Sequence, residues 1–185
     1  FLNKVESYNN CFLAVGRLTK QKNYSYLISE FSNYIKENRN ELLLIIGDGE
    51  EKNMLNELIR KNDISNNVFI LGNIDNVYPY MKKAKALILS SLWEEVGFVI
   101  VEAAFSNLFV ISSDCPNGPR EFLENGNAGY LFKSNNQGEL KNKIKNFVNE
   151  KKDLKTFKLK AKKNSSNYTL FRHHLSLTKI LEYEK

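Results

Sequence analysis

The stretch ELLLIIG, residues 41–47, decides the fold. It is apolar over nearly its whole length, as a strand is when both faces of its sheet are covered, and such strands are typical of parallel sheets. The runs CFLAVG (11–16) and NVFILG (67–72) on either side of it have the same character. The segments between these runs carry apolar residues at helical spacing, so strands alternate with helices along the chain.

The alternation continues toward the C-terminus and predicts six strands in total. The three further strands are 86–90, 108–114 and 129–132. The predicted helices are 23–38, 50–63, 78–84, 97–106 and 119–125, and 136–185 is predicted to be helical. Strands joined by helical crossovers indicate an α/β fold with a doubly wound, parallel, Rossmann-like sheet.

The length and ends of the chain bound its domain organisation. The 185 residues suffice for one domain with a sizeable core. We predict a single domain over 1–185, with its core at about 11–135 and C-terminal helices at about 136–185. The sequence begins with Phe1 rather than Met, and we expect it to be one part of a longer protein.

Composition narrows the classes of partner. The formal net charge is +6, and the excess is concentrated in 141–166, which is rich in Lys and contains no Arg. Sequence-specific nucleic-acid readers favour Arg, and no nucleic-acid-binding motif occurs, so we expect no nucleic-acid partner. A solvated helical face explains the lysines, and peripheral contact with a membrane surface is the alternative. Cys11 and Cys115 have no metal-binding or redox spacing, which favours a reducing compartment, the cytoplasm.

The segment after the first predicted strand has the residues expected at an anion site. Ligands of doubly wound sheets bind at the carboxyl ends of the strands. The stretch GRLTKQKN (16–23) places Gly16, Arg17 and Lys22 there, ahead of a helix. Two cations beside a helix start suit a diphosphate, although a surface loop in a lysine-rich protein also explains them. The stretch GDGEE (47–51) lacks the third glycine of a dinucleotide fingerprint.

The stretch SLWEEVGFVIVEAAF (91–105) contains two carboxylates, Glu94 and Glu102, whose presence beside and within an apolar run needs a physical explanation. On one continuous helix, Glu94 and Glu102 would be separated by about 12 Å of rise, more than the spacing of paired hydrolase carboxylates. Gly97 interrupts the pattern, so we place Glu94 in the loop before the helix and Glu102 in its second turn. Favourable charge at the helix N-terminus explains Glu94 but does not explain Glu102, which stands among apolar residues.

These motifs together resemble a known family. The chain is similar to the C-terminal, nucleotide-binding domain of retaining GT-B glycosyltransferases, those of glycosyltransferase family four. The resemblance covers 12–132 and rests on four motifs in order, VGRLTKQKN, LLLIIGDGEE, VFILGNID and SLWEEVGFVIVEAAF, with ISSDCPNGPREFLENGNAGYLF following. Glu94 and Glu102, which match the family's E-x₇-E pair, are its most specific feature. Such sequences often read E-G-F-G where this one has Glu94-Glu95-Val96-Gly97, so Glu95 adds a charge at a position where glycine is usual.

The resemblance implies a role for each candidate residue. The cations Arg17 and Lys22, with Gly16, would hold the donor diphosphate, and Glu102 would bind the ribose hydroxyls. Glu94 would face the transferred sugar and the reaction centre. Backbone amides would contact the sugar and phosphates, and the segment after the third strand would border the base. The backbone amides would be those of Val96, Gly97, Phe98 and Val99. The residues that border the base would be Asn73 and Ile74.

The implied reaction is glycosyl transfer from a nucleotide sugar to an acceptor hydroxyl, with retention of anomeric configuration. No D-x-D sequence occurs, and His173 and His174 lie far from the motifs, so we expect neither a metal nor a cofactor. The resemblance also implies an N-terminal domain that reads a glycan or lipid-linked glycan acceptor. That domain is absent from this chain, which we therefore expect to transfer no sugar alone.

The donor and the activity are each open to a second interpretation. The stretch SDCPNGPREFL (113–123) resembles enzymes of bacterial polysaccharide synthesis that use UDP-hexoses or UDP-N-acetylhexosamines, and GDP-mannose is the rival donor. A nucleotide-sugar-binding module without transferase activity is one alternative function. A sugar-nucleotide epimerase or a phosphorylase built on the GT-B scaffold is another.

Overall fold

The computed structural model describes residues 11–149 and 154–183, and within them the sheet and helices follow the predicted order. The strands are β1 (Cys11–Val15), β2 (Leu42–Ile46), β3 (Val68–Gly72), β4 (Ala86–Leu89), β5 (Phe109–Ser113) and β6 (Tyr130–Phe132). The helices are α1 (Tyr24–Ile35), α2 (Lys52–Lys61), α3 (Tyr78–Lys83), α4 (Phe98–Phe105), α5 (Pro119–Phe122), α6 (Glu139–Asn149), α7 (Leu154–Ser165) and α8 (Leu170–Tyr183).

The six strands form one parallel sheet in the order β3-β2-β1-β4-β5-β6. β1 lies at the centre, with Leu13 beside Leu44 of β2 on one side and beside Leu87 of β4 on the other. The chain runs outward from β1 to β3 and then returns to start β4 on the opposite side of β1. The loops that follow β1 and β4 therefore border the crevice at which doubly wound sheets bind their ligands.

Two apolar layers cover the sheet, because successive side chains of each strand point to opposite faces. Phe12 and Ile45 pack on one face with residues of α1, α2 and α6. Leu13 and Leu44 pack on the other face with residues of α3, α4 and α7. Both faces are thus buried, which explains why β2 is apolar along its length, and the doubly wound arrangement predicted from the sequence is confirmed.

The predicted boundaries differ from the structure at a few residues. The stretch 119–125 is not one helix, because α5 ends at Phe122 and a 3-10 turn, Glu124–Gly126, contains Asn125 in a left-handed conformation with φ 54°. Asn23 is also left-handed, with φ 53°, so α1 begins one residue later than predicted. Asparagine adopts this conformation more readily than most residues, and Asn23 ends the 3-10 turn Lys20–Lys22 and precedes α1.

The C-terminal region predicted as helical forms α6, α7 and α8, while residues 150–153 and 184–185 lie outside the described part. Among the described helices, none combines the length and apolarity needed to cross a bilayer. The described residues also contain no cluster of three His, Cys, Asp or Glu side chains that could hold a metal ion. Cys11 and Cys115 are both free and buried.

Candidate functional site

The loops after β1 and β4 are joined by hydrogen bonds at the centre of the sheet edge. The Leu92 amide donates to the Gln21 carbonyl at 2.8 Å, and the Gln21 side chain donates to the Trp93 carbonyl at 2.9 Å. The Ser90 hydroxyl donates to the Lys22 carbonyl at 2.7 Å. Because three bonds connect the two segments, 16–23 and 90–97 form one structural unit at the switch point of the sheet.

A largely buried ion pair lies within this unit. Lys22 Nζ is 2.5 Å from Glu94 Oε1, and the Ser91 hydroxyl donates to the same oxygen at 2.5 Å. The side chains of Lys22 and Glu94 are only 16% and 7% exposed. The absence of a side chain at Gly16 leaves room for the lysine, because a Cβ there would lie 3.1 Å from Lys22 Cε. Glu94 is thus a desolvated carboxylate held by two donors.

Serines at the ends of neighbouring strands fix the base of the second loop. The Ser113 hydroxyl, at the end of β5, donates to the Ser91 carbonyl at 2.6 Å. The Ser134 hydroxyl, just after β6, donates to the same carbonyl at 3.2 Å. Ser91 and Ser113 are fully buried. The loop that carries Glu94 is therefore anchored to three strands of the sheet edge rather than to β4 alone.

A cleft of about 540 Å³ opens over the ion pair. Its lining consists of Gly16, Arg17, Gln21, Lys22, Trp93, Glu94, Glu95, Val96, Gly97 and Phe98. Arg17 is exposed and forms no ion pair with any residue in 11–149 or 154–183. Trp93 and Phe98 are 49% and 64% exposed, so two aromatic rings stand among the charged groups. The cleft therefore offers an exposed cation and two apolar surfaces to a ligand.

The start of α4 lies at this cleft, which Gly97 and Phe98 line. Gly97, the residue before the helix, is left-handed with φ 69° and ψ 56°, and its position provides no side-chain cap for the helix. Glycine adopts this conformation without the steric penalty of a Cβ, which lets the chain turn from the loop into the helix. The first amides of an α-helix have no partner within the helix, and the helix dipole makes this end favourable for an anion.

Glu102 lies in the second turn of α4, as predicted, and is half-buried. Its carboxylate accepts no hydrogen bond from any residue that the structure describes. It does not line the 540 Å³ cleft, and neither do Val99, Asn73 and Ile74. Val99 and Ile74 instead pack against the apolar layer below α4, while Asn73 is exposed.

The structure thus brings seven of the predicted site residues to one cleft and leaves four outside its lining. The seven are Gly16, Arg17, Lys22, Glu94, Val96, Gly97 and Phe98. Glu95, whose position departs from the family pattern, is exposed at the same cleft. The roles given to all eleven residues remain predictions.

Sequence reasoning missed the groups that hold Glu94. A usable signal existed for Ser91, because two serines close the apolar run ALILSS (86–91) immediately before the carboxylates. Polar side chains at the end of a buried strand need partners, and a carboxylate three residues away is one. Gln21 carried no such signal, since its contacts to Leu92 and Trp93 involve backbone groups 71 and 72 residues away.

The half-buried carboxylate of Glu102 should lower the stability of the protein at neutral pH. Burial raises the pKa of this carboxyl above its ordinary value of 4.5. The folded state therefore binds the proton more tightly than the unfolded state, and stability falls as pH rises from 4.5 through the raised value. We expect Glu102→Gln to raise the Tm at pH 7 by about 1–2 °C, a small gain because a half-exposed carboxylate is partly screened.

Thermal unfolding at pH 7 and pH 4 would measure this effect. The gain from Glu102→Gln should shrink at pH 4, where the wild-type carboxyl is also protonated. Glu57→Gln, on the exposed side of α2, is the matched control and should change the Tm little at either pH. An equal gain at both pH values would show that the charge of Glu102 carries no such penalty.

Comparison with known proteins gives the family. The family model described as "Glycosyl transferases group 1" matches residues 3–164. An uncharacterised glycosyltransferase of Methanocaldococcus jannaschii is 45% identical over 112 residues, which are 60% of this chain and 28% of that protein. The amylovoran biosynthesis glycosyltransferase AmsD of Erwinia amylovora is 31% identical over 159 residues, 86% of this chain and 44% of AmsD. The chain thus spans less than half the length of these two relatives.

A solved structure agrees with the sequence relatives. A mutant of the Staphylococcus aureus protein TarM, in complex with fondaparinux, α-GlcNAc-glycerol and UDP, superposes with a TM-score of 0.79 at 25% identity. The superposition covers 85% of this chain and 32% of that one. The fold is therefore that of one Rossmann-like domain of a GT-B glycosyltransferase structure, as expected from the motifs. Since the family model covers most of the 185 residues, the chain belongs to the family "Glycosyl transferases group 1".

Proposed function

We propose that this chain is the C-terminal, donor-binding domain of a retaining glycosyltransferase. The enzyme transfers a sugar from a UDP-hexose or UDP-N-acetylhexosamine to an acceptor hydroxyl in the synthesis of a surface polysaccharide or another glycan. The observation that carries the proposal is the cleft between the loops after β1 and β4. There the Lys22–Glu94 pair, the exposed Arg17 and the start of α4 converge.

Two comparisons support the donor and the pathway class. The TarM structure contains UDP, and AmsD is named for the biosynthesis of amylovoran. UDP carries a diphosphate, for which the cleft offers a cation and free helix amides. These features favour UDP sugars over the alternative GDP-mannose only through the relatives, because the phosphate groups of the two donors are chemically the same.

Each candidate residue receives a role in this proposal. Arg17 and the amides at the start of α4 bind the phosphates. Lys22 can hold Glu94 and a phosphate oxygen together, because an ammonium group has three N–H donors. Glu94 contacts the transferred sugar from the floor of the cleft, and Glu102 accepts hydrogen bonds from the ribose hydroxyls. Asn73 and Ile74, after β3, border the base.

The chemistry asked of these residues is stabilisation of the leaving group. As the glycosidic bond breaks, negative charge develops on the diphosphate oxygen, and preorganised donors lower the barrier most where that charge appears. Arg17, Lys22 and the α4 dipole supply positive potential at this place without a metal. The leaving phosphate then accepts the proton of the acceptor hydroxyl, so the reaction needs no separate histidine base.

The expected partners depend on this chain being only the donor-binding domain of the enzyme. An N-terminal domain would form the opposite wall of the cleft and read the acceptor, a glycan or lipid-linked glycan. We place the enzyme in the cytoplasm, where nucleotide sugars are made, with contact at the inner face of the membrane through its lysine-rich helices. Nucleic acid is not a partner in this proposal.

The donor is tested by nucleotide binding to this chain. Titration calorimetry and thermal shift with UDP, GDP and ADP should give binding and stabilisation with UDP, because a ligand of the folded state raises the Tm with concentration. Absence of binding by all three nucleotides would overturn the donor-domain assignment. Binding of UDP-sugar without any transfer by the full-length enzyme would instead favour a non-catalytic module. An epimerised donor would favour an epimerase, and a phosphorolysed sugar would favour a phosphorylase.

The diphosphate site is tested by Arg17→Ala. We expect this change to weaken UDP binding by about tenfold to a hundredfold and uridine binding hardly at all, because a charge-assisted hydrogen bond is worth about 1.5–3 kcal/mol. Lys20→Ala is the matched control, since Lys20 lies in the same loop but does not line the cleft. Equal losses for UDP and uridine would remove Arg17 from the phosphate site.

A further inference from the structure

The segment after β5, Asp114–Gly118, packs directly against the loop that carries Glu94. The Glu94 amide donates to the Pro116 carbonyl at 3.4 Å. A Cβ at Gly118 would lie 2.7 Å from the Val96 carbonyl oxygen and 3.0 Å from that of Glu95. These are backbone atoms, which cannot swing aside as the end of a flexible side chain can. Any side chain at Gly118 must therefore separate the two segments.

The backbone of Gly118 has a conformation that suits only glycine. Its φ is 60° and its ψ is −76°, a region that L residues with a Cβ rarely adopt. The next residue, Pro119, begins α5, so the turn leads directly into a helix and has no slack on that side. On the other side, Ser113 holds the Ser91 carbonyl through its hydroxyl. The contact is thus fixed at both ends.

We propose that Gly118 is a positioning residue for the candidate site. The bare backbone at Gly118 lets Asp114–Gly118 support the loop from Glu94 to Gly97, and this support sets the place of the Glu94 carboxylate and of the first amides of α4. Gly118 itself does not line the 540 Å³ cleft, so it acts through the loop rather than by touching a ligand. The effect on nucleotide binding rests on the proposed function, whereas the effect on the loop does not.

Trp93 provides a readout of the loop that needs no ligand. It is the only tryptophan of the chain, it precedes Glu94, and the residue is 49% exposed. Its emission and its quenching by acrylamide therefore report where the loop lies. We expect Gly118→Ala to shift the Trp93 emission, to change the quenching constant, and to weaken UDP binding by about tenfold or more, because small displacements of a binding group are costly.

Two other glycines serve as controls that separate backbone strain and general crowding from displacement of the loop. Gly138 has φ 80°, and a Cβ there would meet nothing within 4 Å, so Gly138→Ala introduces backbone strain alone. Gly129 is crowded, with a Cβ 2.7 Å from the Val110 carbonyl oxygen and 2.9 Å from Leu123 Cδ2, but none of the atoms that it would meet belongs to the loop of Glu94. Gly138→Ala and Gly129→Ala should lower the Tm and leave Trp93 quenching and UDP affinity unchanged.

The outcomes decide the proposal in every case. If Trp93 quenching and UDP affinity in Gly118→Ala match those in the Gly138→Ala control, Gly118 is not a positioning residue. The same conclusion follows if Gly129→Ala changes both quantities as much as Gly118→Ala does. If the wild-type chain does not bind UDP, the proposed function fails, and the Trp93 comparison alone still decides the role of Gly118. If Gly118→Ala does not fold, Pro116→Gly replaces it, because it loosens the segment whose carbonyl accepts the Glu94 amide, and an unaltered Trp93 signal in that folded variant would overturn the support by this segment.

Discussion

Replacing Lys22 with methionine is expected to lower the free energy of unfolding by about 3–5 kcal/mol, the usual cost of removing one partner from a buried ion pair. Methionine keeps most of the apolar length of the lysine side chain, so the loss comes chiefly from the charge. Glu94 would then be an almost fully buried carboxylate with the Ser91 hydroxyl as its remaining side-chain donor among the described residues. Urea unfolding monitored by circular dichroism would measure the change.

The opposite replacement should cost less. In Glu94→Gln the amide oxygen can still accept the Ser91 hydrogen bond, and Lys22, with a 16% exposed side chain, can turn its ammonium group toward water. We expect a loss of about 1 kcal/mol, the net value of an ordinary hydrogen bond. The double variant should be more stable than Lys22→Met alone, because no unpaired carboxylate is left buried.

An exposed ion pair elsewhere in the chain is the matched control. Lys52, the first residue of α2, and Asp48, in the loop before it, are four residues apart, with Nζ and Oδ2 2.6 Å apart and both side chains 40% exposed. Solvent screens such a pair, so Lys52→Met should change stability little. A loss for Lys22→Met no greater than that for Lys52→Met would mean that Glu94 finds water or another donor, and the description of a desolvated carboxylate would be wrong.

The sequence predicted the sheet well because its signals are local. The apolar side chains of β2 point to both faces of the sheet, so both faces must be covered to keep them from water. Similar apolar runs at β1 and β4 indicate a parallel sheet. The position of Glu102 inside α4 was equally local, because it follows from the spacing of the apolar residues around it. Helix ends were less accurate where one left-handed asparagine, Asn23 or Asn125, decides the boundary.

The contacts within the site could not be predicted, because they join residues far apart in the sequence. Lys22 and Glu94 are 72 positions apart, and no local pattern pairs a phosphate-binding cation with a sugar-facing carboxylate. The contact of Gly118 with Val96 is of the same kind, since PNGP indicates a turn but not what lies against it. Strand order brings these segments together, and strand order is a property of the whole fold.

The two carboxylates of the E-x₇-E pair should differ in kinetics when they are changed in the full-length enzyme. Glu102→Gln removes a proposed ribose contact, which is present in both ground and transition states, so it should raise the donor KM with little effect on kcat. A rise of about tenfold to a hundredfold matches one hydrogen bond to a charged group. This loss of binding should accompany the gain in stability expected for the same variant at pH 7, which a purely structural role of Glu102 would not produce.

Glu94→Gln should instead lower kcat by about a hundredfold or more, because Glu94 lies beside Lys22 where charge changes during the reaction, and losing one such group commonly has this effect. Steady-state kinetics on folded enzyme would show the fall in kcat with a smaller change in donor KM. Glu95→Gln is the control, since Glu95 is the adjacent carboxylate and is exposed at the same cleft. If Glu95→Gln abolished turnover while Glu94→Gln did not, the reactive carboxylate would be the exposed one, and the buried pair of Lys22 and Glu94 would serve only to hold the two loops together.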